Sequence, residues 1–250
     1  MTIALTLPRS TRTRLATGVL ALLALTTAGQ ALAQTTIDQN KALAGNVTPG
    51  DMPGFPITLS VPGSYKLTGN LMVPGGLNGI EITSDNVTLD LNGFRIAGSG
   101  SCTRDQASYV VTCSSPSAYG IVVTASNVTG TVRNGSVQGF NNGVLMEGGT
   151  AESLTVRHNS EGLNFNGFFA ASRATGVLAE MNQTGIYMQW GMIERSVATA
   201  NNIGFTGSNT NNVSVGESQA TFNVTGIKEI ATRSNRVSKN KVDLSGNLAY

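Results

Sequence analysis

Short stretches of alternating apolar and polar residues recur along the chain, each introduced by a polar turn that ends in glycine. The phrase returns as Asn78-Gly79-Ile80, Tyr119-Gly120-Ile121, Asn142-Gly143-Val144, Glu161-Gly162-Leu163, Thr184-Gly185-Ile186, Ile203-Gly204-Phe205 and Thr225-Gly226-Ile227. From Gly120 onward these glycines stand 23, 19, 23, 19 and 22 residues apart. A drifting period of about 20 residues is the mark of a solenoid, whose turns bury their apolar faces by stacking on one another. The first full repeat runs from Gly79 to Gly98. Ile80 and Ile82 alternate with Glu81 and Thr83. Val87, Leu89 and Leu91 follow the Asp85-Asn86 turn, and Phe94 and Ile96 follow the Asn92-Gly93 turn. Three alternating strands per turn predict a three-sided coil.

Ser126 to Gly139 repeats this unit: Asn127-Val128-Thr129 answers Asn86-Val87-Thr88, and Asn134-Gly135 answers Asn92-Gly93 with a slip of one residue. Residues 99–119, with Cys102 and Cys113, are inserted between the copies. Insertions in solenoids emerge as loops from one face, often the binding face. Later turns keep an asparagine three residues before the glycine: Asn159, Asn182, Asn201 and Asn223. Asparagine at one phase of successive turns predicts a buried amide ladder at a corner, where it also tolerates left-handed backbone. Reading the Asn-x-Ser/Thr triplets as sugar acceptors is the weaker alternative. Abundant Gly, Asn, Ser and Thr with sparse Lys and Glu fit short strands and tight turns rather than helices.

The run Gly79-Ile80-Glu81-Ile82 through Asn86-Val87-Thr88-Leu89-Asp90-Leu91-Asn92-Gly93 resembles the right-handed parallel β-helix proteins of the pectate-lyase-like superfamily. Within it, the chain is most similar to the repeat class of carbohydrate-binding and sugar-hydrolase domains and of NosD-like periplasmic proteins. The resemblance covers roughly residues 57–247 and implies an all-β, right-handed parallel β-helix of about seven to eight turns. It implies fold far more than activity, because the shared residues are corner and core residues.

Arg9, Arg12 and Arg14, the apolar run Leu15–Thr27 and Ala31-Leu32-Ala33 form the pattern of a secretory signal over residues 1–33. A membrane anchor is the alternative, but the run falls short of the roughly 20 apolar residues of a spanning helix. Residues 34–56, rich in Pro and Gly, read as an N-terminal cap or linker, and 57–250 as the coil. Export to the periplasm or the cell exterior follows from the signal, and with it a Cys102–Cys113 disulfide; two free thiols are the alternative. The chain holds 16 basic and 14 acidic residues. Without the signal the balance is 13 to 14, so the basicity belongs to targeting and gives no reason to expect nucleic acid as a partner.

Enzymes of the resembled superfamily act mostly on acidic polysaccharides, through close aspartates or through calcium with an Arg or Lys base. Here the aspartates of 34–250 are Asp38, Asp51, Asp85, Asp90, Asp105 and Asp243, with none between 106 and 242. No Asp-Asp pair, Gly-His-Gly or Asp-Pro-His-Glu is present, so the family's catalytic residues do not map onto this chain. Neither a metal nor another cofactor is expected. His158, the one histidine, reads as a corner residue rather than a base. Arg157 and Glu180 share a phase and read as a cross-strand ion pair rather than an active-site pair.

If the residue after each glycine points inward, the next points out. That sets Glu81, Val122, Leu145, Asn164, Tyr187, Thr206 and Lys228 in one outward column. Thr83, Thr124, Glu147, Asn166 and Gln189 form the next. Tyr187, Gln189, Asn166, Glu147, Asn164 and Trp190 together suggest a sugar-stacking platform with hydrogen-bonding edges. The alternative makes Phe165, Phe168, Phe169 and Trp190 core and cap aromatics. The final turn carries Lys228, Arg233, Arg236, Lys239 and Lys241 against Glu229 and Asp243. These charges either discourage end-to-end stacking of an open edge or dock an anionic partner, and a homo-oligomer through that turn stays open. The favoured expectation is non-catalytic binding of extracellular or cell-envelope polysaccharide. A polysaccharide lyase or hydrolase with a non-standard site and a structural assembly module are the alternatives.

Overall fold

The structure is a computed structural model that describes residues 34–124, 130–167, 172–208, 212–233, 236–238, 240 and 242–245. The expected signal at 1–33, the repeat at Asn127-Val128-Thr129, Phe168, Phe169, Lys239 and Lys241 lie outside these. Beyond residue 230, only Asn240 has a described side chain.

Parallel strands stack into a β-solenoid of about seven turns. One side is a nine-stranded sheet that includes Ile80–Ile82, Tyr119–Val123, Asn142–Met146, Glu161–Phe165, Thr184–Met188, Ile203–Gly207 and Thr225–Lys228. A fifteen-stranded sheet makes the other two sides, which are continuous where Gly130–Gln138 and Gly149–Arg157 run around the corner between them. Inside, like residues stack on like. Ile80, Ile121, Val144, Leu163, Ile186, Phe205 and Ile227 are register partners in sequence, and all are fully buried. Each contributes about 1.5–3 kcal/mol of burial.

From Gly120 onward the repeated glycine does not end a turn, as its sequence setting suggests; it sits within a strand, one residue from the strand's start. Space rather than torsion requires it. A Cβ on Gly143, Gly162, Gly185 or Gly204 would stand 2.4–2.6 Å from the carbonyl oxygen of the next turn's glycine. It would also meet the Nδ2 of Asn159, Asn182, Asn201 or Asn223 respectively, at 2.8–3.1 Å. The glycine column therefore leaves the room that the asparagine ladder fills.

That ladder has one more member than the repeat suggested, Asn240. Asn159, Asn182 and Asn201 each donate both N–H and Nδ2 to the Oδ1 of the next asparagine, at 2.8–3.3 Å. Asn223 does the same to Asn240, at 2.7 and 3.0 Å. Nδ2 groups also donate to carbonyls of the preceding turn, such as Asn182 to Val156 O at 3.0 Å. Asn159, Asn182, Asn201 and Asn223 are wholly buried, and their amides are satisfied as burial demands. Phe140 holds the same phase one turn earlier and ends the ladder by donating its N–H to Asn159 Oδ1. The left-handed residue at this corner is not the asparagine but its predecessor: Gly139, His158, Met181, Ala200 and Phe222 have φ of 79°, 55°, 56°, 57° and 59°. His158 is thus a corner residue. A smaller serine stack serves the next corner, with Val177 N–H donating to Ser196 Oγ and Ser196 N–H to Ser218 Oγ, both at 3.1 Å.

Residues 34–56 carry a strand, Thr35–Ile37, paired in parallel with Gly63–Leu67, and a helix, Gln39–Ala44. Asp38 caps the helix by accepting from Lys41 N–H. Asp51, 3% exposed, accepts from Val47 N–H and Thr58 N–H, and Ala42 and Val47 join the main core. Burial pushes the Tyr65 phenol above its usual range.

The insertion is not a projecting loop. Ser101–Arg104 and Val111–Ser114 form an antiparallel hairpin, closed by the Cys102–Cys113 disulfide between direct partners. It folds back along the ladder corner. Val111 N–H donates to Asn202 Oδ1 at 2.6 Å, Asn202 Nδ2 donates to Val111 O at 2.8 Å, and Arg104 Nη2 donates to Phe222 O at 2.7 Å.

Two substitutions test the corner. Gly162→Ala forces a Cβ onto Gly185 O and is expected to cost about 2–3 kcal/mol in urea denaturation. Ala200→Gly removes a left-handed alanine without removing a packed side chain. It is expected to add about 0.5–1 kcal/mol in the same measurement.

Candidate functional site

The outer surface of the nine-stranded sheet holds the residues singled out from sequence. Register joins Glu81 to Val122, Val122 to Leu145, Leu145 to Asn164, Asn164 to Tyr187, Tyr187 to Thr206 and Thr206 to Lys228. The column is as expected, but its exposure is not uniform. Val122 and Thr206 are 5% and 8% exposed and offer little to a ligand, whereas Asn164 and Tyr187 are half-buried. Backbone bonds from Asn166 N–H to Met146 O and from Gln189 N–H to Phe165 O set Glu147, Asn166 and Gln189 as a second column beside it. Trp190 follows at the corner and is 47% exposed. The aromatics divide: Phe165 is fully buried core, and Trp190 is on the surface.

A polar network organises this surface, and its centre was missed from sequence. Glu161 Oε2 accepts from Asn142 Nδ2 at 2.7 Å and from Asn164 Nδ2. Asn142 Oδ1 in turn accepts from Asn141 Nδ2 at 2.8 Å. Two turns away Asn78 Nδ2 donates to Glu81 Oε1, while its Oδ1 accepts from Tyr119 N–H. Glu161 escapes strict alternation because alternation breaks at the glycine. Gly162 and Leu163 are buried in succession, so Glu161 and Asn164 fall on the same outer side. Asn164 Oδ1 is buried and finds no hydrogen-bond partner among the described residues.

The expected Arg157–Glu180 ion pair does not form. Arg157 and Glu180 are register partners, but Arg157 Nε donates to Gln138 Oε1 at 3.1 Å, and no ion pair joins the two among the described residues. His158 and Glu147 lie at opposite ends of the nine-stranded sheet's strands, one before Glu161–Phe165 and the other after Asn142–Met146. At the last turn Lys228 pairs with Glu229 at 3.6 Å. Among the described residues no group of three or more His, Cys, Asp or Glu side chains could hold a metal. No helix among them is long and apolar enough to cross a membrane.

A second polar surface lies on the fifteen-stranded sheet. Thr88, Thr131, Thr150 and Arg173 are successive register partners. An open hollow of about 330 Å³ is lined by Asn86, Thr88, Thr131 and Thr150 over the backbone of Gly130 and Gly149. A neighbouring one of about 270 Å³ shares Thr150 and adds Glu152, Arg173, Thr175 and Arg195. Arg173 is engaged by Glu194 at 2.7 Å, while Arg195 meets the same carboxylate only at 4.0 Å.

No protein-family model, no curated protein and no solved structure matches the chain.

Asn164→Asp tests the network, because it sets a second carboxylate against Glu161 Oε2. Like charges at one site raise the folded-state titration above the unfolded one. The lost stability is therefore greatest at neutral pH and returns as pH falls through that titration. Thermal unfolding at pH 7 should show a loss of about 1–3 kcal/mol, smaller at pH 4.

Proposed function

We propose that this chain is an exported protein of the right-handed, pectate-lyase-like β-helix type that binds extracellular or cell-envelope polysaccharide without cleaving it. The observation that carries the reading is the Tyr187 surface. A half-buried tyrosine lies beside Asn164 in register. A carboxylate clamped by two amides adjoins it, and Gln189, Asn166 and exposed Trp190 follow on one side. Sugar rings stack on aromatic faces and exchange hydroxyl hydrogen bonds with amides and carboxylates. Support for the non-catalytic part comes from the scatter of Glu147, Glu180 and His158, since glycoside hydrolysis needs two carboxylates at a set separation. The Cys102–Cys113 bridge accords with an oxidising compartment. The hydroxyl- and guanidinium-lined hollows on the fifteen-stranded sheet offer a second surface for the same class of ligand.

The test is binding of residues 34–250 to immobilised polysaccharides, with release of reducing or unsaturated ends followed in the same wells. Binding without product, weakened at least about tenfold by Tyr187→Ala (~1.4 kcal/mol), is expected. Binding that survives Tyr187→Ala but falls with Arg195→Ala would move the ligand to the second surface. Product formation would overturn the non-catalytic reading, and absence of any binding would leave a structural module.

A further inference from the structure

We propose that the Cys102–Cys113 bridge is a redox latch: it holds the hairpin down along the ladder corner, and its reduction releases the hairpin while the solenoid stays folded. The hairpin is rooted beside Gly100, whose N–H donates to Gly139 O. From there it crosses several turns. Cys102 and Cys113 Sγ lie 3.6 and 3.2 Å from Asn159 O. Val111 is gripped through both its peptide groups by Asn202, and Arg104 reaches Phe222 O.

This attachment is polar and thin. Of the hairpin's eight strand residues only Cys102 and Val111 are buried, and neither belongs to the main hydrophobic core. The hydrogen bonds that hold it exchange readily with water, so each adds little by itself. Docking nevertheless orders the whole hairpin. The bridge closes an 11-residue separation and so restrains the segment before it docks. Without the bridge, ordering falls to the hairpin's own strand pairing and turn bonds, and docking to its contacts with the coil, those at Asn202 and Phe222 among them. The body of the coil does not share this dependence. The ladder partners of Asn201 and Asn223 are Asn223 and Asn240, and the hairpin supplies none of these bonds. The hairpin is therefore a unit that opens locally.

The chemistry needs an external dithiol. One of its thiolates attacks Cys113 Sγ, which is partly exposed, while Cys102, 6% exposed, departs as a thiolate and takes up a proton. The second thiol of the reagent then attacks the mixed disulfide and frees the Cys113 thiol. Two electrons pass to the protein, and the reagent becomes a cyclic disulfide.

The experiment is hydrogen exchange on residues 34–250, oxidised and then reduced with dithiothreitol, with reduction verified by counting two free thiols. The expected result is exchange at least about tenfold faster in peptides spanning 101–115, where Val111 N–H loses Asn202 Oδ1 (~1.4 kcal/mol of lost protection). Peptides covering 142–146 and 161–165 should remain unchanged. Reoxidation should restore the original pattern, and Cys102→Ser with Cys113→Ser should reproduce the reduced one. Unchanged exchange at 101–115 in the fully reduced protein would overturn the proposal. Acceleration throughout the coil would overturn it equally, by making the bridge a staple of the whole fold.

Discussion

The coil depends on an exclusion: nothing may project from one inward position in each turn. Where Gly143, Gly162, Gly185 and Gly204 stand, a single carbon would collide with a carbonyl of the next glycine and with a ladder amide. Close approach of the strands at this point lets the asparagines reach one another, and the asparagines in turn satisfy backbone donors that the corner would otherwise bury unpaired. Neither feature works alone. A larger residue would part the turns, and an apolar residue in place of an inner asparagine would strand its neighbours' N–H groups. Phe140, at the ladder's end, is tolerated because it needs only to donate its own N–H to Asn159 and can spend its ring on the core.

Much of this was legible in the sequence, because a solenoid writes its geometry as a period. The glycine spacing, the three strands per turn and the phase of Asn159, Asn182, Asn201 and Asn223 all follow from stacking like on like. Local conformation was less legible. Asparagine tolerates left-handed backbone, so sequence alone points to it, yet the strained residue is the one before it, and Met181, Ala200 and Phe222 carry no sign of it. Tertiary closure outweighs local preference there. Asn240 was hidden because the last turn lacks the glycine phrase that marks the others.

The surface is less legible in the sequence than the core, for a reason that lies in the same glycine. Alternation assigns sides correctly along Glu81, Asn164 and Tyr187, but two successive buried positions at Gly162 and Leu163 shift the phase. Glu161 and Asn142 thereby reach the outer side unannounced. The fold-back of the 99–119 insertion was likewise invisible, since its partners Asn202 and Phe222 stand 91 and 118 residues away along the chain. Periodicity reports what is repeated, and these contacts occur once.

The ladder also has a direction. Along the ladder every inner asparagine bonds the following Oδ1 through both its N–H and its Nδ2 and accepts the same pair from the preceding turn, while its Nδ2 also reaches back to a carbonyl there. A complete unit of 19 to 23 residues, bearing its own glycine and asparagine, would meet both halves of that exchange already in place on either side. A fraction of a unit would leave donors facing an empty position. Tandem duplication or loss of whole units is therefore the route by which such a coil could change length over generations, and its reading frame of inheritance is the turn rather than the strand.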